Sequence, residues 1–139
     1  MSHNKHILDG INKDLTEYNR EWYLKQTEGW QDPYGVPKVV QHEGFNVVRD
    51  DLIVGSKARF GDYLISQVKE DTIVYVQPRK GLAGVSILDA AKRYGKKVVL
   101  FMPSSKVISD HQAVCIERGA VPKFRRIAAM PNLNKMAKE

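Results

Sequence analysis

The chain has 139 residues, of which 42% are hydrophobic and 27% charged, and its formal net charge is +6. These values are typical of one soluble globular domain with a buried core. No apolar run approaches the roughly 20 residues of a membrane span, so we expect no membrane association. Cys115 is the only cysteine, which excludes an internal disulfide and a cysteine-rich zinc site. Because the first ten residues also lack the apolar core of a secretory signal, we expect a cytoplasmic protein.

The distribution of charged side chains and histidines indicates which anionic partners and metal ions the chain is expected to bind. A positive net charge suits an anionic partner such as a phosphate, a nucleotide or a nucleic acid. The basic residues are spread along the chain and form no single tract, so a nucleic-acid partner is not favoured. The histidines are scattered as well, so no metal site is predicted: they are His3, His6, His42 and His111.

The first 36 residues are predicted to form a helical arm followed by a loop. Apolar side chains recur at spacings of three and four from about residue 6 to residue 26, which is typical of an amphipathic helix. Glycines and prolines between residues 29 and 37 then end the pattern. The apolar stripe favours a packing or dimer surface, and its members are Ile7, Ile11, Leu15, Tyr18, Trp22 and Tyr23.

Residues 37–139 alternate between strand-like and helix-like segments. The predicted strands are residues 37–40, 45–49, 72–76, 98–102 and 121–124, and the predicted helices are residues 57–69, 82–94 and 106–118. Residues 130–134 are predicted to be a loop. Repeated strand–helix units with short connections favour an α/β fold, with an open, mostly parallel sheet and flanking helices.

Two loops in this arrangement are candidates for a ligand site. Ligands of open parallel sheets bind beyond the carboxyl ends of the strands, where we expect residues 50–57 and 77–84. The second loop opens a helix, and Gly81 and Gly84 permit close approach of the backbone, while an adjacent arginine–lysine pair adds positive charge. This pattern suits an anion at a helix N-terminus, and close packing of the loop is the alternative explanation.

The first loop presents one lysine in a distinctive setting. The run VVRDDLIVGSKAR, residues 47–59, places Lys57 after a Gly-Ser turn at the start of a predicted helix, with Ser56 as the expected N-cap. A desolvated lysine at such a position is a nucleophile toward carbonyl groups. The alternative is a solvated lysine in the first helical turn, which is the commoner environment. Asp50 and Asp51 are expected to fix the local backbone.

The order of several motifs resembles a known enzyme family. The motifs are RDDL at residues 49–52, GSKAR at 55–59, GLAG at 81–84, an alanine-rich helix ending in Gly95, FMP at 101–103 and Gly-Ala at 119–120. In this order, over about residues 38–120, the chain is similar to the N-terminal half of the tryptophan-synthase-β family of pyridoxal-phosphate-dependent enzymes, also called fold type II. Within that family it looks nearest to the aminocyclopropane-carboxylate deaminases and D-cysteine desulfhydrases.

The resemblance implies a cofactor, a reaction class and site residues. Lys57 matches the catalytic lysine that binds pyridoxal phosphate covalently, and the implied substrate is a small amino acid in a lyase or deaminase reaction. Leu82 matches an asparagine that contacts the cofactor ring oxygen, and a leucine cannot donate that hydrogen bond. The implied cofactor-binding residues are Lys57, Ser56, Arg59, Gly81, Leu82 and Gly84.

The sequence is therefore compatible with three functions. In the resembled family a second half supplies the phosphate-binding cup, which the present 139 residues do not contain. The chain is expected to be a pyridoxal-phosphate-enzyme-like protein. It is either a truncated or degenerate relative or one whose site is completed by another chain, as a homo-oligomer or with a protein partner. The alternative is a non-catalytic α/β domain that binds a partner or itself. The third function is phosphate or nucleic-acid binding. Because the second and third functions need no catalysis, the sequence does not decide whether the chain is an enzyme.

Overall fold

The computed structural model describes residues 24–126 and 130–139. The chain forms two compact units, Met1–Gln31 and Asp32–Glu139. In the first unit, residues 24–26 are helical and residues 27–29 form a turn; most of the predicted N-terminal helix and all of its apolar stripe lie outside the described part of the chain. None of the helices in that part is long and apolar enough to cross a membrane.

The second unit begins with a β-hairpin that stands apart from the main sheet. Strands β1 (Val39–His42) and β2 (Phe45–Val48) pair in antiparallel fashion. Glu43 and Gly44 connect them with φ angles of 49° and 82°, the two positive values that a tight hairpin turn requires. The sequence predicts both strands. The prediction that they belong to the parallel sheet is wrong, because this turn pairs them with each other.

The main sheet is parallel and is flanked by helices, which confirms the predicted α/β class. Its strands are β3 (Thr72–Val76), β4 (Lys97–Pro103) and β5 (Val121–Arg125), which pair in the order β3-β4-β5. The helices are α1 (Ala58–Ser66), α2 (Ala83–Arg93), α3 (Asp110–Glu117) and α4 (Met130–Lys138).

The core lies between β4 and helices α2 and α3. Alternate residues of a strand point to opposite faces, and Val98, Leu100 and Met102 of β4 are buried on one face. They form one cluster with apolar residues of α2 and with Cys115 of α3. Helix α4 packs against β3 and β4 on the other face, where Leu133 is fully buried.

Two helix starts differ from the prediction. Helix α1 begins at Ala58, and its N-cap is Lys57 without any side-chain capping hydrogen bond, so the predicted capping role of Ser56 is wrong. Helix α3 begins at Asp110, several residues later than predicted. There Ser109 and Gln112 form a capping box in which each side chain bonds the other residue's backbone N–H, and this fixes the start of the helix.

The prediction of a loop at residues 130–134 is wrong. These residues form the first half of α4. Pro131 lies in the first turn of that helix, where a missing backbone N–H costs nothing and the fixed φ of proline favours helix. Burial of Leu133 anchors the helix on the sheet.

Candidate functional site

The segment that carries Lys57 is held in place by a charged side chain and by a close backbone contact. Arg59 donates from Nε and Nη2 to Oδ1 of Asp50, at 3.3 and 3.2 Å. Gly55 has a φ of +107°, and a Cβ there would lie 3.2 Å from the Cβ of Leu82. Glycine at this position therefore lets the segment approach the start of α2 closely.

Ser86 of α2 links the same segment to the helix. Its side chain is buried, and Oγ donates to the carbonyl oxygen of Val54 at 2.6 Å. The same hydroxyl oxygen lies 3.0 Å from the carbonyl oxygen of Leu82. This hydrogen bond fixes the backbone three residues before Lys57.

Gln77 shapes the loop that faces this segment. It follows β3 directly and is fully buried. Its Nε2 donates to the carbonyl oxygen of Gly81 at 3.0 Å, and its Oε1 accepts from the N–H of Gly84 at 2.8 Å. The amide thus closes the loop, where Gly81 has a φ of +121°. It also satisfies one of the backbone donors that a helix N-terminus leaves unpaired.

A cleft of about 440 Å³ lies between these two loops, beyond the carboxyl end of β3. Its volume falls within the range of roughly 300–1,000 Å³ that is typical of small-molecule sites. The lining includes four of the predicted site residues together with one further cation and one aromatic ring: Ser56, Lys57, Gly81, Leu82, Lys80 and Tyr75. Residues from distant parts of the sequence therefore meet in one concave site.

Two of the predicted cofactor-binding residues have structural contacts instead. Besides Asp50, the guanidinium of Arg59 donates to Asp32 at 2.7 Å and to the carbonyl oxygen of Gly35 at 2.6 Å. Gly84 is buried, and a Cβ there would lie 2.5 Å from Oε1 of Gln77. The structure does not bring either residue to the lining of the cleft.

The cations around the cleft occupy different environments. Lys57 and Lys80 line the cleft and are both exposed, as the alternative of a solvated Lys57 predicts. Arg79 instead donates a hydrogen bond to Oγ of Ser105 in the loop after β4. The positive charge at the cleft therefore comes from two lysines that solvent reaches.

The acidic pair next to this segment is bound by arginines. Asp50 accepts from Arg59, while Asp51 accepts from Arg49 at 2.7 and 2.8 Å. The hydrogen bond from Arg49 lowers the pKa of Asp51 below its usual value. Both carboxylates therefore pair with arginine side chains, and neither lines the cleft.

Cys115 is a packing residue, as its position within an apolar helix predicts. It is fully buried in the core cluster, and a Cβ on Gly84 would lie 3.1 Å from its sulfur. Burial raises the pKa of its thiol, which disfavours the reactive thiolate.

Sequence reasoning missed three residues that build the cleft. Gln77 is a polar residue at the end of an apolar strand and directly before a glycine-containing loop, and this position is a signal for a loop-closing side chain. Tyr75 lies within a strand pattern, and Ser86 lies within a helix pattern. Nothing in the sequence distinguishes these two from ordinary packing residues.

Comparison with protein-family models, curated proteins and solved structures finds no match for this chain. The likeness to fold-type-II enzymes thus rests on the sequence motifs. Across residues 24–126 and 130–139, no group of three or more His, Cys, Asp or Glu side chains is placed to hold a metal ion. The cleft is therefore the feature of the structure that bears on function.

Proposed function

We propose that this chain is a cytoplasmic, pyridoxal-phosphate-enzyme-like protein that binds the cofactor in the cleft and acts on a small amino acid by lyase or deaminase chemistry. The observation that supports the proposal is the convergence of Lys57 with the loop at residues 77–83. Lys57 and Lys80 line the same cavity although 23 positions separate them.

The side chains at the cleft fit a small phosphorylated aldehyde. The amine of Lys57 is the group that condenses with an aldehyde. The ammonium of Lys80 supplies a charged donor for a phosphate oxygen, and such charge-assisted hydrogen bonds are stronger than neutral ones. Tyr75 and Leu82 add apolar surface for the body of the ligand.

Each of the chain's own residues has a distinct role in this proposal. Bound pyridoxal phosphate supplies the electron sink for the reaction. Lys57 holds the cofactor and moves a proton at its Nζ, while the hydroxyl of Ser56 is available as a neighbouring hydrogen-bond partner. Gly81 leaves space beside the cavity for the carboxylate of the substrate, and Leu82 contacts the ligand without donating a hydrogen bond.

The direct test is a titration of the purified chain with pyridoxal phosphate, followed by absorption spectroscopy. We expect an absorption band of the bound cofactor that survives dialysis and is absent in Lys57→Ala. Lys80→Ala should weaken binding about tenfold, the effect of losing roughly 1.4 kcal/mol from a charge-assisted hydrogen bond. Lys92→Ala is the matched control, because Lys92 is exposed on α2 and does not line the cleft.

Two results would contradict the proposal. Absence of a band in the wild-type chain excludes cofactor binding by this chain alone. A band that persists in Lys57→Ala removes Lys57 from its assigned role. If the band behaves as expected, screening of small amino acids for release of ammonia or sulfide tests the reaction class.

The second candidate function is a non-catalytic α/β domain that binds a partner or itself. The observation that favours it is the exposure of Lys57, because activation of a lysine amine depends on removal of water. Leu82 also offers no hydrogen bond to a cofactor ring. A chain that binds no pyridoxal phosphate but self-associates would support this second function.

A further inference from the structure

In the part of the chain that the structure describes, no strand pairs with the outer edge of β3. The carbonyl oxygen of Asp71 accepts from Lys97 at 2.8 Å, and the N–H of Gln77 donates to Phe101 at 2.9 Å. The backbone N–H and C=O groups of the odd-numbered residues of β3 therefore point toward β4. Those of the even-numbered residues point away from it. No strand within residues 24–126 and 130–139 pairs with that side, so Thr72, Val74 and Val76 form an open edge.

The two edges of the parallel sheet differ in chemistry. The β5 edge contains Pro122, which lacks an N–H, and carries the charges of Lys123 and Arg125. Such residues block the addition of another strand. The β3 edge, TIVYV, has neither a proline nor a charge. Of the two edges, β3 is the one built to accept a strand.

A groove runs beside the β3 edge. It has a volume of about 320 Å³ and is lined by Val74 and Val76 together with Asn134, Ala137 and Lys138 of α4. Val74 is 48% exposed although it lies in the middle of the strand. A strand added to this edge would place alternate side chains in the groove and cover Val74.

Charges at the two ends of β3 favour a second copy of the same chain in antiparallel orientation. Glu70 and Asp71 precede the strand and Lys80 follows it, whereas Arg79 is hydrogen-bonded to Ser105 and Ser109 of the segment after β4. Antiparallel pairing of two copies brings the acidic end of each strand to the basic end of the other. Opposite charges at such cross-strand positions are stabilising, whereas like charges are destabilising.

We infer that β3 pairs with β3 of a second copy about a two-fold axis, which joins the two three-stranded sheets into one continuous sheet. An axis perpendicular to the sheet keeps Val74 of both copies on the groove side. The interface is self-complementary, as a two-fold dimer requires. This inference shares Lys80 with the proposed cofactor site, but the strand edge and Val74 lie outside that cleft, so a change at Val74 tests the dimer separately.

Light scattering during size-exclusion chromatography of the full chain, over a range of concentrations, tests the dimer. We expect a mass of twice 15.8 kDa at high concentration. Val74→Lys should raise the dissociation constant at least about tenfold, because it places two lysines at the paired edge. Val48→Lys is the matched control, since Val48 is 54% exposed on the separate hairpin. Circular dichroism and a thermal melt verify that each variant is folded.

Several outcomes would overturn the inference. A wild-type chain that keeps the mass of one copy at every concentration excludes the dimer. A Val74→Lys variant that dimerises as tightly as wild type, or a Val48→Lys variant that dissociates equally, shows that another surface is used. Asp71→Lys should also weaken the dimer, and an unchanged dissociation constant in that variant rules out the antiparallel arrangement of charges.

Discussion

Gly84 shows how closely the loop and the helix pack at the start of α2. Its N–H bonds the buried amide of Gln77, and the thiol of Cys115 lies against the same point. A methyl group there would lie 2.5 Å from Oε1 of Gln77, shorter than any ordinary contact. Only glycine at this position therefore lets the amide of Gln77 come close enough to accept the hydrogen bond from the backbone N–H of residue 84.

Substitution of Gly84 tests this close packing. Gly84→Ala should lower the free energy of unfolding by about 1–3 kcal/mol, the usual cost of overpacking. Gly61→Ala is the control, because Gly61 lies in α1 and a methyl group added there would have no neighbour within 4 Å. That change should raise stability by about 0.5–1 kcal/mol, since alanine favours helix. Chemical denaturation measures both, and equal effects would contradict the packing explanation.

Arg93 joins three polar side chains at the surface of α2. It contacts Asp89 at 2.5 Å and Asp62 at 2.6 Å, and its guanidinium lies 5.0 Å from the centre of the Tyr34 ring. Burial and the hydrogen bond to Asp89 raise the pKa of Tyr34 to about 12. Burial opposes ionisation of Asp89, but hydrogen bonds from Tyr34 and Arg93 outweigh it and lower its pKa.

The lowered pKa of Asp89 predicts a pH-dependent contribution to stability. The contribution is present above the ordinary pKa of 3.8 and is lost as the pH falls through the lower value of the folded state. Asp89→Asn should cost about 1 kcal/mol near pH 7, a modest value for a partly exposed ion pair, and almost nothing in strong acid. Urea denaturation at several pH values measures this difference.

A surface carboxylate provides the control for that experiment. Glu117→Gln, at an exposed position, should change the free energy of unfolding by no more than about 0.5 kcal/mol. If the cost of Asp89→Asn is the same at pH 7 and in strong acid, ionisation of Asp89 does not contribute to stability.

The sequence predicted residues whose role depends on local pattern and missed those whose role depends on distant partners. Lys57 and Gly81 lie in turns that precede predicted helices, and both residues line the cleft. The contacts of Arg59 with Asp32 and Asp50 depend on how separate loops fold together. No local spacing indicates such contacts, so its predicted place at the cofactor site could not be distinguished from a structural role.

At the scale of elements, Ser109 fixes the start of α3 and joins two loops. Its side chain accepts from the N–H of Gln112 and donates to the carbonyl oxygen of Arg79. Ser109→Ala should therefore cost about 1–2 kcal/mol, toward the upper part of the range for loss of an N-cap. Ser104→Ala, an exposed serine in the same loop, should have little effect. Thermal melts compare the two, and equal melting temperatures would argue against a capping contribution.

The elements that were predicted well have strong periodic patterns. Strand β3 and helix α2 agree with prediction to within one residue at each end, because continuous apolar runs and a terminal glycine mark them clearly. Helix α4 was missed because Pro131 and two asparagines are usually signals for a loop. Its stability comes from packing on the sheet, which a local pattern does not contain.

At the scale of the whole molecule, two arginines connect the loop before β1 to the helices. Arg59 of α1 pairs with Asp32, and Arg93 of α2 donates to the hydroxyl of Tyr34 at 3.0 Å. These polar contacts hold a segment that contributes little to the apolar core. We therefore expect local stability in this unit to decrease from the central strand β4 toward the hairpin and its preceding loop.

This gradient predicts a large difference in backbone hydrogen exchange. Amides of β4 belong to the buried core, whereas β1 and β2 form an isolated two-stranded sheet in which Phe45 is 72% exposed. Isolated hairpins are marginally stable in water, so local opening exposes them without unfolding of the domain. We expect β4 amides to exchange at least about a hundredfold more slowly than those of the hairpin. Exchange followed by NMR measures this ratio, and equal protection would show that the hairpin unfolds only with the core.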